Sequence, residues 1–159
     1  VICGGRNTPG GDKMTLTDTE ETQFDKLIRP IALDQKALRM KKYIQHGKVT
    51  TYSHSLRVAK TAFALNRSLH AGCDERRLVR AAFLHDYFLY DWHTHGDKLH
   101  GYHHPEIAAE NAARDFGLDQ KEQSIIRTHM WPLTLFHVPA SREAWIVTIA
   151  DKLCGAGEI

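Results

Sequence analysis

Apolar residues recur at helical spacing along most of the chain, and no window alternates convincingly with period two. "TDTEETQFDKLIRPIALD" (Thr17–Asp34) reads as a short helix stopped near Pro30. "DQKALRMKKYIQHG" follows, with Asp34 as N-cap and Gly47 as the C-terminal stop. "TYSHSLRVAKTAFALNRSLHAG" carries Leu56, Ala59, Phe63 and Ala62, Leu65, Leu69 at helical spacing, and Gly72 ends it. "CDERRLVRAAFLHDYFLYDW" starts at Asp74 with acid before base and becomes strongly apolar towards Trp92. Asp91 to His103, with Gly96 and Gly101, is a loop. "HHPEIAAENAARDFG" is a helix with Pro105 in first position and Gly117 at its end. "DQKEQSIIRTHMW" runs from Asp119 to about Trp131 before Pro132. "SREAWIVTIADKLCGAG" starts at Ser141, with Glu143 behind it as a capping-type partner. The pattern predicts an all-α domain, a compact bundle of about six or seven helices.

The 159 residues suggest one domain over 16–159 behind a flexible tail at 1–15, in which Met14 is a candidate start. A 42% apolar and 25% charged composition is that of a soluble globular chain. A net charge of +2 with no long basic block argues against nucleic-acid binding. No apolar run approaches the roughly 20 residues of a membrane span. Cys3, Cys73 and Cys154 are scattered and form no CxxC pair, so a reducing, cytoplasmic setting is the simplest expectation.

What changes this ordinary picture is where the ionisable residues fall. Six of the 11 histidines lie between Phe83 and His104. A metal site, a pH-sensitive loop and a solvated His-rich segment would all account for such a run. His54, in the first turn of its helix, shares a stripe with Val58, Ala62 and Leu65. His85 and Asp86 stand late in an apolar helix. His129 follows Ile125 and Ile126 by four and three residues, and Asp151 sits in the almost wholly apolar "WIVTIADKL". His104 precedes Pro105 at an expected helix start. A buried, unpaired carboxylate costs several kcal/mol or more, so Asp86 and Asp151 need partners. Neither has an Arg or Lys at i±4 on its apolar face. An isolated histidine on an apolar face is usually a hydrogen-bonded core residue. Here the donors come from several helices, which a bundle core can bring to one point. A cation shared between these carboxylates and histidines satisfies both, and the mixed donor set suits Mn, Fe, Co, Ni or Zn better than Ca.

The series His54 in "YSHSLRVA", His85–Asp86 in "AAFLHDYF" and Asp151 in "TIADKL" resembles the H…HD…D pattern of the HD-domain superfamily of metal-dependent phosphohydrolases, an all-helical family. The resemblance covers about Tyr43 to the C-terminus. "HHPEIAAENA" and "IIRTHMWP" are similar to the two segments that give some members a second metal, which implies His104 and His129 as further ligands. The implied site is dinuclear, with divalent transition-metal ions bridged by Asp86. His104 is favoured over His103 because a helix start fixes its direction.

The resemblance implies a phosphohydrolase that cleaves a phosphate ester or anhydride of a small metabolite, a nucleotide in the first instance, with a metal-activated water. Asp86 is then catalytic as the bridging carboxylate. Arg57, one turn after His54, and Lys152, beside Asp151, are candidate catalytic and phosphate-binding residues. His95, His100 and Trp131 are candidate substrate contacts. Two other functions fit the same residues. Dinuclear-iron oxygenases such as myo-inositol oxygenase resemble this scaffold, and a regulatory module could keep a metal for stability alone. Many phosphodiesterases and dinucleoside polyphosphate hydrolases of the superfamily follow HD with Gly-Lys or Ala-Lys; this chain has Tyr87, Phe88, Leu89 and Tyr90 there.

Overall fold

Short polar side chains open most of the helices by accepting a main-chain N–H that has no partner within the helix. Thr17 accepts from Glu20, which reaches back to Thr17, and this capping box starts α1 (Asp18–Ala32). Asp34, Thr50 and Asp74 each cap singly, starting α2 (Gln35–Leu38), α3 (Thr51–Ser68) and α4 (Glu75–Leu84). α5 (His100–Phe116) is closed by Gly117 in the left-handed region, φ 62°. Asp119 and Glu122 form a second capping box at the head of α6 (Gln120–Thr128). Ser141 Oγ accepts from the Ala144 N–H near the start of α7 (Arg142–Glu158). The structure, a computed structural model, describes residues 14–94 and 98–158. Among them are these seven α-helices and one small two-stranded ribbon, so the fold is all-α. Most of the expected N-terminal tail lies outside the described residues, as does His95.

α3 is the central helix, packed against α4 and α7; α4 also packs on α1 and α6, and α5 packs on α6. Val58, Ala59, Ala62 and Phe63 from α3 meet Leu78, Ala81 and Ala82 from α4, with Ile125 and Ile126 of α6 and Val147 and Ala150 of α7 in the same core. Each large apolar side chain buried there contributes roughly 1.5–3 kcal/mol. The small residues let the helices approach closely enough for polar side chains on their inner faces to converge.

Five expected helix boundaries are corrected, and several of them shape the site. Pro30 does not stop α1, which continues to Ala32. A proline this close to a helix end removes only one hydrogen bond. The expected second helix lasts one turn. After a 3-10 turn at Arg39–Lys42, the chain forms an antiparallel ribbon, β1 (Ile44–His46) with β2 (Val49–Thr50). Only Ala37 and Met40 are buried across α2 and the 3-10 turn, too few for an apolar stripe. Gly47, φ 55°, serves the ribbon's turn.

α4 ends at Leu84 instead of running on to Trp92, and Leu89 adopts a positive φ of 60°. Asn111 Nδ2, from α5, donates to the carbonyls of Tyr87 and Phe88, both at 3.2 Å, which satisfies main chain that has left the helix. α5 begins at His100, a turn before the expected start, and Pro105 lies within it. His104 Nδ1 lies 2.9 Å from the His100 carbonyl and takes up an acceptor at the head of the helix. α6 stops at Thr128, short of Trp131. Glu143 does not complete a capping box: its Oε1 accepts from the Asp74 N–H at 2.9 Å and so joins the starts of α4 and α7.

Candidate metal centre

Helix ends place most of the polar residues of the core. His85 and His129 are the C-caps of α4 and α6, and each sets Nδ1 2.7 Å from the carbonyl three residues back, Ala82 and Ile126 respectively. His104 makes the equivalent contact four residues back, to His100. His54, in the first turn of α3, sets Nδ1 2.9 Å from Glu158 Oε2. A carbonyl or carboxylate oxygen only accepts, so each of these four imidazoles carries hydrogen on Nδ1. Each then turns Nε2 towards the centre.

Asp86 occupies that centre, and its two oxygens divide the cluster. Oδ2 lies 3.2 Å from His85 Nε2 and 3.7 Å from His54 Nε2. Asp151 Oδ1 completes this half, 3.0 Å from His54 Nε2 and 3.3 Å from His85 Nε2. Oδ1 of Asp86 faces the other half, 3.2 Å from His104 Nε2 and 3.5 Å from His129 Nε2. Within each half the donor atoms all lie within 4.8 Å of one another, a spacing that can hold a metal ion. All of these residues are buried apart from Asp151, which keeps slight exposure.

The donors fit a cation. His104 Nε2 and His129 Nε2 are 3.0 Å apart, and both Nδ1 hydrogens point to main-chain oxygens. In neutral rings these are two lone pairs facing each other. His85 Nε2 and Asp86 Oδ1 are buried without hydrogen-bond partners. A buried polar atom left unpaired costs about 1–3 kcal/mol. Coordination would engage all of these atoms.

The electrostatics agree. Burial favours neutral Asp86, but His85, with His104 and His129, holds its carboxyl well below the usual carboxylate range. His54 and His85 likewise hold Asp151 low against its burial. Burial favours neutral His85, yet Asp86 and Asp151 raise its pKa well above the ordinary imidazole value. His54 is raised too: its burial is outweighed, chiefly through its hydrogen bond to Asp151. His129 goes the other way, lowered by burial and by the nearby His85 and His104. In the metal-free protein the carboxylates thus remain ionised and draw protons onto one half of the cluster.

Two supporting residues were not expected from the sequence. Gln45 Nε2, from β1, donates to Asp86 Oδ2 at 2.7 Å, and Thr51 Oγ1 donates to Gln45 Oε1 at 3.3 Å. Gln45 sits in a segment read as helix, and nothing in the sequence marks it. Glu158 ends α7 with a fully buried side chain that joins His54 to Arg57, whose Nη1 donates to Oε1 at 2.8 Å. Its only signal is a spacing of seven from Asp151, which puts the two on one helix face.

A cavity of about 1130 Å³ opens onto Asp86, His104, His129 and Asp151. Lys152 lines it and donates to the His129 carbonyl at 3.1 Å; burial lowers the lysine pKa, with Asp151 opposing. His100 lines it too, with Nδ1 2.6 Å from the Tyr90 hydroxyl and its ring stacked between Trp92 and His104. Trp92, His93 and Lys98 share the lining. Arg57 and Trp131 are not among the lining residues: Arg57 pairs with Glu158, and Trp131 packs edge-on against Trp145 at 5.1 Å. His103 is exposed, whereas His104 is buried against Asp86. Tyr87 is core; its hydroxyl donates to Asp115 at 2.8 Å and accepts from Arg39 at 2.9 Å.

Buried imidazoles and carboxylates on an all-α scaffold define a class of helical proteins with a candidate transition-metal centre. The family model for the HD domain matches residues 51–156, two thirds of the chain, and the chain belongs to that family. Its members are mostly metal-dependent phosphohydrolases. No curated protein and no solved structure matches the chain. Among the described residues no helix is long and apolar enough to cross a membrane.

Proposed function

We propose that the protein is a metal-dependent phosphohydrolase acting on a small phosphorylated metabolite. The observation that carries this reading is the division of the donors about Asp86, with Oδ2 facing one half and Oδ1 the other. His54, His85, Asp86 and Asp151 would hold one divalent ion, and Asp86, His104 and His129 the other. Bound there, such ions supply Lewis acidity towards a phosphoryl oxygen and towards water.

The chain's own residues do the rest. The Nδ1–H hydrogen bonds fix the tautomer and orientation of the four imidazoles, the usual support for metal-ligating histidines. Gln45 holds the Asp86 carboxylate in place through Oδ2. Lys152 and Lys98, both on the cavity wall, would attract the phosphate. Arg57 acts through Glu158 on His54 and not on the substrate. A nucleotide was the first expectation for that substrate, and the two lysines on the cavity wall support binding of its phosphate end.

The test is a phosphate-release screen of phosphate monoesters and anhydrides on protein purified without oxygen and loaded in turn with Mn, Fe, Co and Ni. Release that depends on metal and is lost in His85→Ala supports the proposal. Oxygen consumption by the iron form with no phosphate release from any ester would replace it with the oxygenase reading. Metal binding with neither activity would leave a regulatory module.

A further inference from the structure

The lining of the cavity is chemically mixed. His46, Trp92, His93 and Lys98 carry polar groups. Met130, Pro132 and Leu133, with Gly101 from the first turn of α5 and Gly155 and Ala156 from the last turns of α7, form an apolar wall whose side chains hold no N–H or O–H, with Lys152 beside it. A Cβ at Gly101 would come within 2.9 Å of Leu133 Cδ2, so glycine lets the loop lie against α5. A Cβ at Gly155 would meet nothing within 4 Å, so glycine there leaves open space one turn beyond Asp151.

Pro132 and Leu133 also line a second cavity of about 630 Å³, with Tyr102, Thr134, Leu135, Phe136 and His137. The apolar wall therefore continues outwards from the metal centre to the surface. There the loop presents Leu135 at 63% exposure, Phe136 at 95% and Val138 at 50%. Grouped exposed apolar residues beside a site mark a binding surface. Nothing in the packing of the core requires them.

We infer that the substrate is an amphiphile, a phosphate head joined to an alkyl or aryl body that lies along Pro132 and Leu133 towards Tyr102 and Phe136. The inference rests on the hydrolase reading for the head and on the continuous apolar wall for the body. Lys98 and a cation-loaded centre suit the anionic end, and the open volume exceeds what a phosphate alone would fill.

The experiment measures equilibrium binding of a series of alkylphosphonates, from methyl to octyl, to the manganese-loaded protein, each below its micelle concentration. Phosphonates are not hydrolysed, so the readout does not depend on turnover. Affinity should rise with chain length, roughly two- to fourfold per methylene. Leu133→Asn should flatten the whole series. Phe136→Asp, at a position too exposed to affect folding, should flatten only its long end. Affinity independent of chain length, or the non-hydrolysable phosphonate analogue of adenosine monophosphate binding more tightly than hexylphosphonate, would overturn the inference. Chain-length dependence without phosphate release from any ester would support the apolar track and overturn only the hydrolase reading.

Discussion

His104 and His129 face each other through Nε2 at 3.0 Å, with the Nδ1 of each directed to a main-chain carbonyl. Two acceptors at that separation call for a cation between or beside them. His104→Ala should remove one bound ion and leave the other, because the His54, His85, Asp151 half does not use it. His103→Ala, at an exposed position, should leave metal content unchanged. Metal analysis of the two variants after identical loading checks the pair.

Glu158 is the carboxylate behind a histidine, Oε2 against His54 Nδ1, held in turn by Arg57. Loss of such a support weakens metal affinity by about 10–100-fold. Glu158→Gln should fall in that range, and Arg57→Gln should show a smaller loss because Arg57 is half exposed and acts only through Glu158. Competition with a chromophoric chelator measures both. Unchanged affinity in Glu158→Gln would remove its assigned role.

Metal binding should release protons. His54 and His85 have raised pKa values in the metal-free protein, and a ligating imidazole must offer Nε2 unprotonated. Apparent affinity should therefore be weakest below the ordinary imidazole range near 6.5, climb as pH rises through the raised values and level off above them. Isothermal titration in buffers of different ionisation enthalpy reports the proton count. Affinity that falls as pH rises from 6 to 8 would contradict this assignment.

A different cluster also contributes to acid stability. Arg114, with the Tyr87 hydroxyl and Arg39, holds the Asp115 carboxyl down at about 2. A folded-state pKa below the unfolded one gives stability that is present above about pH 4 and lost as pH falls through 2. The contribution is about 2 kcal/mol. Asp115→Asn should lower stability at pH 6 by that order and flatten the pH dependence between 4 and 2, as followed by urea denaturation.

His54, His85, Asp86, His129 and Asp151 of the buried cluster were legible as polar residues on apolar helix faces, and His104 through the resemblance of its segment to the family pattern. The class and approximate number of helices followed from the 3.6-residue pattern and from boundary residues such as Asp34, Gly72, Pro105 and Gly117. What remained hidden depends on tertiary contacts. The ribbon that delivers Gln45 has strands of three and two residues, too short to show alternation. The apolar run after His85 reads as more helix, yet the chain turns at Leu89 because Asn111, 22 positions later, satisfies its carbonyls. Arg57 reads as a candidate phosphate contact in the sequence; in the structure it pairs with Glu158, whose burial only the tertiary fold reveals.

The central claim is that Asp86 joins two metal sites, and metal stoichiometry tests it most directly. Wild-type protein and Asp86→Ala, each shown folded by circular dichroism, would be loaded with manganese or iron under anaerobic conditions, desalted and analysed. The account predicts two divalent ions per wild-type chain and none in Asp86→Ala. A wild-type chain that binds no transition metal, or an Asp86→Ala chain that keeps both ions, would contradict it.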